Sequence, residues 1–135
     1  MLGRRGAMMD PRVLILEDEA SLNDLYARVL RRAGFAVDQA YSLAEARDLL
    51  DRGHYDFFVV DIRLPDGVAT DLLRAYRARL NEQGTQVIVL TAEARYRLEL
   101  AEMDYEHYFE KPISLQMLST FLQRLWQARQ QGLDT

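Results

Sequence analysis

From Arg12 onward, short apolar runs alternate with segments whose apolar residues recur every three or four positions. The runs are Val13-Leu14-Ile15-Leu16, Ala36 to Ala40, Phe57-Phe58-Val59-Val60, Val87-Ile88-Val89-Leu90 and Tyr108-Phe109. The first, third and fourth are continuously apolar, as strands covered on both faces must be, and this predicts that they lie mid-sheet. Between them, Leu22, Leu25, Tyr26, Val29 and Leu30 keep helical spacing up to Gly34. Ser42 and Glu45 have the spacing of a capping box ahead of Ala46, Leu49 and Leu50, with Gly53 as the stop. Leu72, Leu73, Tyr76 and Leu80 mark a third helix, and Leu98, Ala101 and Glu102 a weaker fourth. The last helix follows Ser114 as N-cap, with Leu115, Leu118, Leu122, Leu125 and Trp126 on its inner stripe.

Five β-α units with right-handed crossovers follow from this order: an α/β fold, with a doubly wound five-stranded parallel sheet flanked by five helices. The expected domain runs over 12–130, with tails at 1–11 and 131–135. No linker, repeat or low-complexity segment interrupts it. At 135 residues the chain holds one core.

Composition narrows the function. A net charge of -4 argues against a surface devoted to nucleic acid or anionic lipid. With no cysteine, thiolate zinc sites and cysteine nucleophiles are excluded, and a cytoplasmic location is expected. No apolar run reaches membrane-spanning length. Of the 17 basic residues all are arginine except Lys111, which singles out that position for a job suited to an ammonium. The arginines at 31, 32, 74, 77 and 79 are expected to be solvated, and His54 and His107 to have surface or turn roles.

In an open parallel sheet the binding crevice lies beyond the carboxyl ends of the strands. Here those ends carry Glu17-Asp18-Glu19, Asp61, Thr91 and Glu110-Lys111-Pro112. Carboxylates gathered there repel one another unless a cation shares the site, and Mg2+ suits hard oxygen ligands. A carboxylate beside a hydroxyl and an ammonium is also what an aspartyl-phosphate requires. Taken singly, each piece has a plainer reading: Glu17-Asp18-Glu19 as favourable charge at a helix start, Asp61 as a loop cap, Thr91 as a structural residue, Lys111 as a solvated one. Their joint placement at four strand ends favours the functional reading.

Glu17-Asp18, Asp61-Ile62-Arg63-Leu64-Pro65-Asp66-Gly67, Thr91-Ala92 and Lys111-Pro112, in this order, resemble the signature of the response-regulator receiver domain over roughly 12–129. The resemblance implies a flavodoxin-like receiver fold. It makes Asp61 the phospho-acceptor and has Asp18, Asp61 and the backbone carbonyl of Arg63 hold Mg2+, with Glu17 acting through a metal-bound water. Thr91 and Lys111 would contact the phosphoryl group, Thr91 and Tyr108 would form the switch, and Arg63 and Glu93 would tune the phosphoryl's lifetime. A cis Lys111-Pro112 bond is implied as well. The implied partners are a sensor histidine kinase or phosphotransfer protein and a downstream protein, with a homodimer as an option and no direct binding of nucleic acid or membrane.

The chain also departs from the pattern. Only twenty positions separate Thr91 from Lys111, about two fewer than expected, so the fourth helix region should be short. Asp104-Tyr105 stands where Gly-Ala is common, and Ala69 where a second loop glycine is usual. Two alternatives accompany the signalling switch: a receiver fold that serves as a scaffold without phosphorylation, and the receiver piece of a longer DNA-binding regulator. A phosphatase of the haloacid dehalogenase type is disfavoured, because the position two after Asp61 is Arg63 and not an acid. The chemistry expected is therefore self-phosphorylation and self-dephosphorylation, not enzymatic turnover.

Overall fold

A computed structural model describes residues 10–132. The expected tails fall largely outside these residues. Pro11, at the edge of the first, is already buried, and its carbonyl accepts from Ala36 N at 2.9 Å.

Five strands form one parallel sheet: β1 (Arg12–Leu16), β2 (Ala36–Ala40), β3 (Phe57–Asp61), β4 (Gln86–Thr91) and β5 (His107–Glu110). Their order is β2-β1-β3-β4-β5, so the three continuously apolar runs occupy the centre, as their composition requires. Side-chain alternation splits each central strand between two layers. Leu14, Leu16, Phe58, Val60, Val87 and Val89 face α2 (Leu43–Arg52), α3 (Ala69–Glu82) and the short α4 (Arg97–Glu102). Val13, Ile15, Phe57, Val59, Ile88 and Leu90 face α1 (Ala20–Arg32) and α5 (Leu115–Gln130). Trp126 joins this second layer at its margin, edge-on to Phe57.

Two helical stripes differ from expectation. The face of α1 that meets the sheet is Asn23, Tyr26, Ala27 and Leu30, while Leu25 is 41% exposed. These four keep the spacing i, i+3, i+4, i+7, and the polar Asn23 hides the pattern. In α4 the buried residue is Leu100, and Leu98 is 71% exposed. Two positions turn a helix by about 200°, so a helix this short buries one of the pair only. A 3₁₀ turn, Ala94–Tyr96, precedes it.

The arginines of α3 are tethered rather than simply solvated. Arg74 pairs with Glu99 at 2.6 Å and Arg79 with Asp51 at 2.8 Å. Arg77 donates to the carbonyl of Met103 at 2.7 Å and pairs with Asp104. Asp104 sits at φ 64, a left-handed position that glycine would take without strain. Next to it, the Tyr105 hydroxyl donates to the Leu73 carbonyl at 2.7 Å, and burial pushes the phenol up to about 12. The pair Asp104-Tyr105 thus fastens the entry to β5 onto α3. Removing the hydroxyl by Tyr105→Phe is expected to cost about 1 kcal/mol, read as a lower urea midpoint at unchanged m-value.

The histidines are also fixed. His54 meets the Gln83 carbonyl at 2.8 Å, and His107 opens β5 with its ring against Phe121.

Candidate functional site

The carboxyl ends of β1, β3, β4 and β5 bring Glu17, Asp61, Thr91 and Lys111 to one edge. The Lys111 amide donates to the Thr91 carbonyl at 2.8 Å, and the Lys111–Pro112 bond is cis. The Lys111 ammonium lies 2.6 Å from Glu17 Oε1 and 3.2 Å from Asp61 Oδ2. Carboxylate oxygens of Glu17, Asp18 and Asp61 all lie within 4.8 Å of one another. Two acids therefore share one ammonium, with the exposed Asp18 close beside them.

Burial makes this arrangement costly. Glu17 is 3% exposed, and burial, seconded by the charge of Asp61, holds its carboxyl above the usual range despite the Lys111 and Glu19 hydrogen bonds. Burial raises Asp61 too, with Asp18 adding to it, and the Lys111 charge and Ile62 amide offset this only in part. Burial by itself would lower Lys111, but its bond to Glu17 and the charges of Asp61 and Glu17 carry it above the ordinary lysine value. Excess negative charge in a partly buried, hard-oxygen cradle fits a divalent cation.

A residue outside the expected set fixes the Glu17 backbone. Asn23, fully buried in α1, donates to the Glu17 carbonyl at 2.9 Å and the Ala40 carbonyl at 3.0 Å, and accepts from Gln39 at 3.0 Å. It binds the ends of β1 and β2 together under the acids. Its place on the i, i+3, i+4, i+7 face is the one sequence signal that could have found it.

Glu93 links the remaining candidates. Its amide donates to Thr91 Oγ1 at 3.1 Å, and its carbonyl accepts from the Tyr108 hydroxyl at 2.9 Å. Its carboxylate takes a two-pronged bond from Arg63, Nε to Oε2 at 2.8 Å and Nη2 to Oε1 at 2.7 Å. That bond holds Glu93 below the usual carboxylate range. Among the described residues no hydrogen bond joins the Thr91 hydroxyl to Asp61 or to the Lys111 ammonium; the hydroxyl accepts from Glu93 N instead.

After Asp61 the chain closes into a small loop. Arg63–Leu64 pairs antiparallel with Gly67–Val68, and Ala69 N donates to the Ile62 carbonyl at 2.7 Å. Asp66, at its tip, accepts from Leu43 N at 2.9 Å and Ala44 N at 3.1 Å at the start of α2. A separate cleft of about 640 Å³ opens at the opposite end of the sheet, lined by Gln86, Tyr105, His107 and Arg129 among others, and includes none of the acids.

Residues 13–123 match the family model for the response regulator receiver domain. The chain belongs to this family. Receivers are the phosphorylation-dependent signalling modules of response regulators, and they are not classical enzymes. This receiver is 29% identical to the chemotaxis protein CheY of Pseudomonas aeruginosa over 119 residues, covering 86% of this chain and 96% of CheY. It is 32% identical to the transcriptional regulatory protein TcrA of Mycobacterium tuberculosis over 124 residues, covering 89% of this chain and 47% of TcrA. The receiver thus spans nearly all of CheY and about half of TcrA. Among solved structures it resembles TrrA of Thermotoga maritima, determined in complex with Mg(2+)-BeF. The TM-score is 0.74 at 24% identity, over 84% of this chain and 97% of TrrA. Among the described residues no helix is long and apolar enough to cross a membrane.

Proposed function

We propose that this receiver accepts a phosphoryl group on Asp61 from a histidine kinase or phosphotransfer protein in the cytoplasm and relays the event to a downstream protein. One observation carries the reading: Asp61 at the end of a central strand, with Lys111 against one carboxylate oxygen and two further acids within 4.8 Å. Ile62 N holds the other oxygen at 2.8 Å, so the nucleophile has a fixed orientation. Asp61 attacks phosphorus, an O–P bond forms as the donor's P–N bond breaks, and the departing imidazole is released to the donor. Lys111 balances charge on the transferred oxygens, and the Thr91 hydroxyl, once released from Glu93 N, donates to one of them.

Asp18, Asp61 and the carbonyl of Arg63 would hold Mg2+, with Glu17 reaching it through water. When bound, Mg2+ neutralises the acids and the phosphoryl oxygens. Tyr108, whose hydroxyl rests on Glu93, would follow Thr91 and alter the surface around α4 and β5.

Intact-mass spectrometry after incubation with Mg2+ and acetyl phosphate tests this. The expected result is one phosphoryl adduct that requires Mg2+ and is absent from Asp61→Asn. An adduct that persists in Asp61→Asn would overturn Asp61 as the acceptor, and no adduct together with no binding of beryllofluoride would favour the scaffold reading.

A further inference from the structure

The first turn of α2 takes its backbone caps from two separate parts of the chain. Four amides at the start of a helix lack partners within it. Three of them are the amides of Leu43, Ala44 and Glu45: Glu45 N goes to the Ser42 hydroxyl at 3.2 Å, while Ala46 N makes the first ordinary helical bond, to the Ser42 carbonyl at 3.0 Å. The remaining two, Leu43 N and Ala44 N, are taken by Asp66, which lies 23 and 22 residues away in the loop after Asp61. Ser42 alone is an ordinary cap. Asp66 adds a bond between two separate parts of the fold.

That bond falls within the stretch that carries Arg63. The loop is internally closed by the Ala69 to Ile62 bond and the pairing of residues 63–64 with 67–68, so its backbone forms one braced unit. Two of its side chains reach outward by hydrogen bonding: Arg63 to Glu93 on one side and Asp66 to α2 on the other. Van der Waals contact reinforces the second tether. Gly67, at φ 143, leaves only 3.0 Å between Leu43 Cδ1 and the place its Cβ would occupy, so the loop lies directly on the first residue of α2. Leu43 is buried in the sheet layer that holds α2, which makes the anchor rigid. The two α2 amides hold the Asp66 carboxyl below its ordinary range, so it remains an acceptor at neutral pH.

We infer that Asp66 is a positioning residue for the Mg2+ site: by clamping the loop to the first turn of α2 it fixes the backbone on which the Arg63 carbonyl is presented. The inference rests on the Mg2+ reading proposed above. Outer residues that orient ligands without touching a metal commonly matter tenfold or more to its affinity, because a ligand free to wander must be ordered on binding.

The test compares Asp66→Ala with Ser42→Ala in the full chain, titrating MgCl2 by isothermal calorimetry and following thermal unfolding without metal. Both variants remove caps from the same helix, and Ser42→Ala is expected to lower the melting temperature by roughly 4 °C. Only Asp66→Ala releases the loop. Asp66→Ala is expected to bind Mg2+ roughly tenfold more weakly than the parent chain, with Ser42→Ala unchanged. Asp66→Asn, which keeps one acceptor for Leu43 N, is expected to restore most of the affinity. Equal weakening in Ser42→Ala and Asp66→Ala would reduce Asp66 to a helix cap, and an unchanged Mg2+ affinity in Asp66→Ala would overturn the inference outright. A parent chain that binds no Mg2+ would instead remove the metal reading itself.

Discussion

Lys111→Met is expected to lower the stability of the metal-free receiver by about 4 kcal/mol near neutral pH, the largest change of any single substitution in the site. Among the described residues the lysine is the one cation paired with Glu17 and Asp61, and Glu17 is only 3% exposed. Removing it leaves a buried carboxylate without its charged partner. The loss depends on pH in a defined direction. Glu17 and Asp61 already ionise above their ordinary range in the folded chain, chiefly through burial, and without Lys111 both rise further. A carboxyl raised on folding favours the native state while protonated, and that contribution disappears as pH climbs through the folded value. The difference between variant and parent should therefore be full above the raised folded values of the two carboxyls and shrink as pH falls through them. The lysine, held above its own ordinary value, stays charged across this window. Urea unfolding at a series of pH values reads the difference. Mg2+ should restore more stability to Lys111→Met than to the parent, because it replaces the missing charge. A loss independent of pH would mean that Lys111 acts through packing.

Asn23→Leu is expected to cost about 3 kcal/mol, although it adds apolar volume to a helix face that already points into the core. The leucine cannot donate. The Glu17 carbonyl loses its Asn23 donor, the Ala40 carbonyl keeps only Glu17 N at 3.1 Å, and Gln39 loses an acceptor. Leu25→Ser, two positions on and 41% exposed, serves as the contrast and should change stability by less than about 0.5 kcal/mol. Thermal unfolding of the pair decides the matter, and equal effects would show that Asn23 does no more than occupy space.

This contrast shows what could be read along the chain and what could not. The central strands were legible because four successive apolar residues have few other destinations, and the acids because Glu17 and Asp61 stand at the first polar position after such a run and Asp18 at the next. Asn23 was hidden, since a polar residue within an amphipathic helix is assigned by default to the solvent face. Leu25 drew attention for the opposite reason. Leu98 and Leu100 exchanged roles because six residues give too few turns for a period to declare itself. Asp66 could be read as a turn residue, but its acceptors' partners lie on α2 and are brought near only by the fold. The tethers from Arg74, Arg77 and Arg79 were invisible for the same reason: an arginine on a helix looks alike whether or not a neighbouring element supplies its acid.

Glu93 holds Thr91, Tyr108 and Arg63 through its amide, its carbonyl and its carboxylate respectively. The amide and the carbonyl belong to the two peptide units that flank the Glu93 Cα, so a backbone shift at this one residue reaches both the threonine and the tyrosine. Under the proposed function this one residue ties the movements of the two hydroxyls to each other. Phosphorylation would then shift the population of the arrangement in which both contacts to Glu93 are broken.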